Sequence, residues 1–143
     1  LSRSLKTLEL RVLRQSDTAL ELARRLERDR RVARVLYPGL RGHPDHRIAR
    51  RQLRAFGGMV TLELPGGLAA ARRFYDALEL VARAVSLGGA ESLASLPVET
   101  SHHGCSPAEL ARAGVTPGMV RLSIGLEAPE DLWRDLDQAL RRA

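Results

Sequence analysis

Residues 119–126, Met-Val-Arg-Leu-Ser-Ile-Gly-Leu, predict a β-strand that carries one basic side chain among apolar neighbours. Successive side chains of a strand point to opposite faces of the sheet. Leu122 and Ile124 therefore share one face, while Arg121 and Ser123 share the other. The segment is therefore predicted to be a strand that places Arg121 among apolar neighbours in the sequence, with Ser123 on its own face.

Arg121 needs a partner, because an arginine in an apolar setting is costly to bury unless it is paired. A carboxylate of the protein, such as Glu91, would make that partner structural. A carboxylate of a ligand would make it functional, since the planar guanidinium can bind a carboxylate through two parallel hydrogen bonds. The pattern leaves both interpretations open.

The segments around this strand alternate between the periods of strands and helices. Strands are predicted at residues 31–37, 57–64 and 80–85, and helices at residues 8–29, 43–53, 68–78 and 129–142. A further helix is predicted after Ser106, where Ser106 and Glu109 have the spacing of a capping box and Pro107 suits the first helical position. Residues 90–105 keep no sustained period and are predicted to form a loop. The fold class is therefore α/β or α+β, a small sheet covered by helices.

The charge of the chain favours a solvated surface over a nucleic-acid site. The 143 residues carry 23 Lys+Arg and 17 Asp+Glu, a formal net charge of +6, and Lys6 is the only lysine. Aromatic residues, on which bases would stack, make up 3% of the chain, and acidic residues are interspersed among the arginines. Arginines also interrupt each apolar stretch before it reaches the length of a membrane span. We therefore expect no nucleic-acid partner and no membrane partner.

The histidines and the single cysteine indicate neither a metal site nor a nucleophile. His43 and His46 are three residues apart, but no cysteine pair or further ligand motif accompanies them. Cys105 has no cysteine partner, and we expect a lone, partly buried thiol at the end of a loop. With no disulfide partner and no signal peptide, the sequence points to the cytoplasm.

Several motifs, in the same order, resemble the pyridoxal-phosphate enzymes of cysteine and methionine metabolism. This family includes cystathionine gamma-synthase, cystathionine gamma-lyase, methionine gamma-lyase and the O-acetylhomoserine sulfhydrylases. The matching segments are SLGGAES at 86–92, Pro97, Ser101 with His102, VRLSIGLE at 120–127 and DL at 131–132. LKTL at 5–8, VLYPG at 35–39 and FGGM at 56–59 extend the resemblance over nearly the whole chain.

The resemblance implies the C-terminal domain of a fold-type-I enzyme, a small, mainly antiparallel sheet with helices on one side. It implies that residues 1–143 form one substrate-anchoring domain, in which residues 1–30 form a long helix at the junction with a cofactor domain outside this chain. The chain begins with Leu1, and we expect it to be a fragment. The family's Schiff-base lysine would lie in the other domain, so we expect no catalytic and no cofactor-binding residue here, and no activity of the fragment alone.

The resemblance also implies roles for four residues. Arg121 matches the arginine that binds the α-carboxylate of the amino-acid substrate, and Ser86 belongs to a motif that helps to hold that carboxylate. Ser101 stands where the family usually has threonine near the wall of the active site. Val85 stands where members that process cystathionine often carry glutamate, and an apolar residue there is more similar to methionine gamma-lyase or a sulfhydrylase.

The leading functional hypothesis follows from these matches. The complete protein would be a pyridoxal-phosphate-dependent lyase or synthase of trans-sulfuration, acting by gamma-elimination or gamma-replacement on sulfur amino acids or activated homoserine. We expect it to be a homo-oligomer that binds its substrate through the carboxylate. The alternative from another class is a non-catalytic basic module that binds nucleic acid or a protein partner.

Overall fold

A five-stranded sheet lies at the centre of the fold. The computed structural model describes residues 2–143, with the side chains of residues 4–143. The strands are β1 Arg34–Leu36, β2 Met59–Glu63, β3 Ala82–Arg83, β4 Leu93–Ser95 and β5 Met119–Ser123. The helices are α1 Ser2–Leu5, α2 Leu8–Glu27, α3 His46–Gln52, α4 Gly67–Ala77, α5 Pro107–Ala113 and α6 Pro129–Leu140, with a 3-10 helix at Pro97–Glu99.

The order of the strands is β1-β2-β5-β4-β3, which places β5 in the middle. β5 runs antiparallel to both of its neighbours, β2 and β4, and β1 runs antiparallel to β2. The short β3 pairs with β4 in the parallel direction. The mainly antiparallel sheet that the family resemblance implies is therefore confirmed.

The alternation of β5 places Val120 and Leu122 on one face of the sheet, and the half-buried Arg121 and the buried Ser123 on the other. Val120 and Leu122 are buried in the same apolar cluster as Val60 and Leu62 of the neighbouring β2. Helices α2, α4 and α6 cover this face of the sheet, and they contribute buried side chains that include Leu22, Leu26, Phe74, Leu132 and Leu136. Burying each such side chain contributes about 1.5–3 kcal/mol, which makes this layer the main source of stability.

The helix predictions agree well with the structure. The amphipathic pattern at residues 8–29 becomes α2, and the patterns at 68–78 and 129–142 become α4 and α6. The predicted capping box is present, since the Glu109 carboxylate accepts hydrogen bonds from Ser106 and the Ser106 hydroxyl accepts one from the Glu109 N–H. The hydrogen bond from Ser106 lowers the pKa of Glu109. No helix among residues 2–143 is long and apolar enough to cross a membrane.

Two loop and strand predictions are wrong. Residues 90–105 contain β4 and the 3-10 helix rather than only a loop. All three residues of β4 are buried, so this strand lacks the alternation by which a strand is recognised. The strand predicted at 80–85 is limited to Ala82–Arg83, because side chains from elsewhere in the fold bind the backbone on either side of it.

Three boundaries also differ from the prediction. The long helix expected over residues 1–30 is divided at Lys6 and Thr7 into α1 and α2, and residue 1 lies outside the described residues. The helix predicted at 43–53 begins only at His46, which leaves His43 and Pro44 in the preceding turns. The strand predicted at 31–37 is shortened to Arg34–Leu36, because Arg34 stands opposite Glu63, the last residue of β2, and residues before it have no paired partner in that strand.

A buried carboxylate connects α6 to the start of β3. Asp135 is 5% exposed, and its carboxylate accepts the backbone N–H groups of Glu79, Leu80 and Val81 at 2.8–2.9 Å. The side-chain amide of Gln138 donates a further hydrogen bond to it at 3.0 Å. These donors compensate the cost of burying the charge. They determine where the chain leaves α4 and enters the segment that leads to Val85.

We expect Asp135→Ala to lower the free energy of unfolding by about 3 kcal/mol or more, because it leaves buried N–H groups without an acceptor. Chemical denaturation followed by circular dichroism measures this change. Asp131→Ala, on the exposed side of the same helix, is the control and is expected to change stability by less than about 1 kcal/mol. Equal losses in the two variants would contradict the assignment.

Candidate functional site

Arg121 lies at the centre of the sheet, on the face opposite the helices. In the register of the strands it stands beside Thr61 of β2 on one side and Ser95 of β4 on the other. Ser123, two residues along β5, shares this face. Val120 and Leu122 of β5 occupy the other face, which the helices cover, so the arginine side chain does not cross the helical core.

The Arg121 guanidinium is bound by the backbone and not by a carboxylate. Its Nη2 donates to the carbonyl oxygen of Val85 at 3.2 Å and, more weakly, to that of Ser86 at 3.5 Å. None of the ion pairs among the described residues includes Arg121, and the Glu91 carboxylate lies beside Gly89 instead. The structural interpretation, in which Glu91 neutralises Arg121, is therefore wrong.

Four of the described side chains form, with Arg121, a concave pocket of about 470 Å³; they are Val85, Glu99, Thr100 and Ser101. Three of the four residues singled out by the resemblance thus line one pocket. The fourth, Ser86, adjoins it through the carbonyl that Arg121 contacts. Val85 is 67% exposed, so its apolar side chain is open to whatever enters the pocket.

Glu99 and Thr100 belong to this pocket but were missed in the sequence. They follow β4 in the segment interpreted as a loop, which offered no periodicity to place them. One oxygen of the Glu99 carboxylate accepts hydrogen bonds from the Arg72 guanidinium, including one from Nε at 2.6 Å. The Thr100 hydroxyl donates to the Leu96 carbonyl at 2.8 Å, so its hydrogen atom is already used.

Ser101 presents a hydroxyl group beside an imidazole. Its Oγ lies 2.9 Å from Nδ1 of the adjacent His102. An Nδ1 without a proton accepts the hydrogen bond, and the Ser101 oxygen is then oriented with its lone pairs away from the ring. The tautomer of His102 therefore determines whether Ser101 can donate to a bound molecule.

The remaining candidates lie apart from this pocket. Cys105 is exposed, which corrects the expectation of a partly buried thiol. His43 lies outside α3, while His46 stacks on Phe56 with ring centroids 5.9 Å apart and its Nδ1 is 2.8 Å from the Pro38 carbonyl. Within residues 2–143 no group of three or more potential ligands has the arrangement of a metal site.

The segment that Arg121 contacts contains a glycine with a conformation that other residues resist. Gly88 has φ +74°, and a Cβ placed on it would meet no atom within 4 Å. Gly89 has no such conformation, and the three atoms nearest to a Cβ placed there belong to the carboxyl group of the exposed Glu91 side chain. A substitution at Gly88 therefore tests backbone strain, and the same substitution at Gly89 tests steric crowding.

Comparison with known proteins places this chain in a family. The family model described as Cys/Met metabolism PLP-dependent enzyme matches residues 1–141. L-methionine gamma-lyase of Pseudomonas putida is 48% identical over 141 residues, which are 99% of this chain and 35% of the lyase. Cystathionine beta-lyase of Coxiella burnetii is 44% identical over 138 residues, 96% of this chain and 36% of that protein.

A solved structure shares the fold closely. The chain superposes on cystathionine gamma synthase from Xanthomonas oryzae pv. oryzae, in complex with cystathionine, with a TM-score of 0.93 and 42% sequence identity. The match covers 98% of this chain and 36% of the synthase. The chain thus spans about a third of the length of the relatives it matches.

We expect Gly88→Ala to lower the free energy of unfolding by about 1–2 kcal/mol, the cost of a left-handed conformation for a residue with a Cβ. Gly89→Ala serves as the matched control, because the Glu91 side chain can rotate away from the added methyl group. Denaturant titration of both variants measures the difference. A Gly89→Ala loss as large as that of Gly88→Ala would show that crowding, and not φ, limits this segment.

Proposed function

Since this chain belongs to the Cys/Met metabolism family of pyridoxal-phosphate-dependent enzymes, we propose that it binds the substrate carboxylate as the C-terminal part of such an enzyme. The enzyme would act on sulfur amino acids or on activated homoserine, by elimination or replacement at Cγ. Residues 1–143 would form the substrate-anchoring domain, with α1 and α2 at its junction with a cofactor-binding domain. The match of the chain to about a third of each relative supports this division.

The observation that carries the proposal is the open guanidinium of Arg121. Nη2 is engaged with backbone carbonyls, whereas Nε and Nη1 have no acceptor among the described residues. An arginine with no carboxylate partner on the wall of a pocket is suited to bind an anionic ligand. The carbonyl contacts hold the guanidinium in place before the ligand arrives, so less conformational entropy is lost on binding.

The chain's own residues would bind and orient the substrate. Nη2 carries two hydrogens, and the one not directed at the backbone carbonyls could form a parallel pair with Nε–H or Nη1–H. Such a pair of hydrogen bonds would fix both the position and the plane of a carboxylate. With the carboxylate held, the bonds at the adjacent carbon have a set direction, and correct orientation of this kind can contribute about 7 kcal/mol to a reaction. The Ser101 hydroxyl and the exposed Val85 side chain would contact the part of the substrate beyond that carbon.

The described residues do not by themselves fit the cofactor. A pyridoxal phosphate site needs a lysine amine, and Lys6, the only lysine, is exposed between α1 and α2 and is absent from the Arg121 pocket. In enzymes of this kind the cofactor supplies an electron sink, while the protein supplies orientation and electrostatics. We propose that this chain contributes to the orientation and electrostatics.

The apolar Val85 supports a substrate whose end far from the bound carboxylate is uncharged where it contacts Val85. One structural relative holds cystathionine, which has a charged distal end. In this chain Val85 offers no partner for such a group, which favours a substrate of the methionine type or an activated homoserine. The homo-oligomeric state and the cytoplasmic location implied by the resemblance stay predictions.

In the complete enzyme, we expect Arg121→Ala to lower kcat/KM for amino-acid substrates by about one to two orders of magnitude, mainly through KM. Arg121→Lys should restore part of the loss, because an ammonium group keeps the charge but lacks the planar fork. Steady-state kinetics and melting temperature are measured on the same preparations. Lowered stability with unchanged kinetic constants would show that Arg121 is a structural residue.

For the 143-residue chain alone, we expect no turnover of methionine, cystathionine or O-acetylhomoserine when pyridoxal phosphate is added. The reason is the absence of an amine from the Arg121 pocket. An assay for 2-oxobutyrate, which γ-elimination produces from all three substrates, measures turnover. Lys6→Ala controls for non-specific reaction of the exposed lysine with the aldehyde. Turnover that depends on Arg121 and survives Lys6→Ala would contradict the expectation.

A further inference from the structure

We propose that Gln15 and Ser123 are positioning residues for the carboxylate site. They bind the backbone of residues 88–89 and thereby hold residues 85–89, the segment whose carbonyl groups at 85 and 86 bind Arg121. The inference depends on the proposed role of Arg121. It states that two buried side chains determine the position of the Arg121 guanidinium. Neither residue lines the Arg121 pocket, so both would act through the segment and not by touching substrate.

Gln15 reaches the segment from α2. Its side chain is 5% exposed, and its Nε2 donates to the carbonyl oxygen of Gly89 at 2.6 Å. Burying an amide is unfavourable unless it is hydrogen-bonded, so this contact is the one that justifies a polar residue here. Gly58 leaves room for the Gln15 side chain. A Cβ on Gly58 would lie 3.3 Å from the Cβ of Gln15, which is closer than an ordinary van der Waals contact.

Ser123 reaches the same segment from β5. It is 3% exposed, and its Oγ accepts a hydrogen bond from the Gly88 N–H at 3.0 Å. Because Ser123 is two residues from Arg121 on the same strand, both side chains leave the sheet on the same face. One strand therefore holds the segment at two points, Arg121 at the carbonyls of residues 85 and 86 and Ser123 at residue 88.

The partners of these side chains distinguish positioning from a general structural role. Among the described residues, the only hydrogen bond of the Gln15 side chain and the only one of the Ser123 side chain go to this segment. The segment itself is largely exposed, with Leu87 59% accessible, and it adds little to the apolar core. Loss of either bond would release the segment, and with it the acceptors that orient the Arg121 guanidinium.

The test uses the complete enzyme with Gln15→Met and Ser123→Ala, each of which removes one hydrogen bond with little change of volume. We expect KM for the amino-acid substrate to rise about three- to tenfold in each variant, with kcat within about twofold of the parent. Ser123→Thr keeps the hydroxyl and should keep the parent KM.

Thr18→Val is the matched control. Thr18 lies on the same helix as Gln15, is 1% exposed, and its hydroxyl has no hydrogen-bond partner among the described residues. It therefore shares the burial of Gln15 but not the contact with residues 88–89. We expect this variant to keep the parent KM.

The decisive measurement repeats the two substitutions in an Arg121→Ala background. If Gln15 and Ser123 act through Arg121, they change kcat/KM by less than about twofold there. Effects as large as in the parent enzyme, or a normal KM in both single variants, would overturn the inference. A silent Arg121→Ala would instead overturn the proposed function, so the two failures are distinguishable. If Gln15→Met does not fold, Gln15→Asn takes its place, and if Ser123→Ala does not fold, Ser123→Cys takes its place. The variant that does fold is sufficient to decide the result.

Discussion

The alternation of side chains along β5 is the constraint on which the rest of the structure depends. Val120 and Leu122 point into the helical layer, and this orientation obliges Arg121 and Ser123 to leave the sheet on the opposite face. A shift of one residue in the register would place the guanidinium in the core, where it would be costly without a partner. The energetics of the core thus determine where the candidate site is located.

Buried polar side chains then organise the segment between α4 and β4. Asp135 binds its beginning through backbone N–H groups at residues 79–81. The far end, at residues 88–89, is bound by Ser123 and Gln15. Val81 is still buried in the core, but residues 85–88 are exposed, so hydrogen bonds with α2 and β5 determine the course of this later part. Its position beside Arg121 is consequently a property of the whole fold.

Charge pairs link the helical layer at its edge. Arg31 bridges Asp29 and Asp137, with oxygen–nitrogen distances of 2.6 Å, and so connects the end of α2 to α6. The hydrogen bonds from Arg31 lower the pKa of both carboxyl groups. A lowered pKa means that the folded state favours the ionised form. The stabilisation is therefore present above the ordinary aspartate range near pH 4 and is lost as the pH falls below it. Arginines used in this way are less available to an anionic macromolecule.

The sequence by itself determined the elements whose stability is local. The period of α2, the capping box at Ser106 and the alternation in β5 are visible in the residues, because neighbours along the chain produce them. The ordered motifs also identified Arg121, Ser86, Val85 and Ser101 as candidates, and all four are found at one pocket or beside it.

Only the tertiary structure decided which groups meet. Strand β4 is buried on both faces and carries no alternation, so its existence depends on β5 beside it. The choice between Glu91 and backbone carbonyls as partners of Arg121 needed the fold as well. The fold also places Glu99 in the pocket and brings Gln15 to Gly89 across 74 residues of sequence. Contacts between distant residues depend on how the layers pack, and the spacing of residues along the chain does not determine that packing.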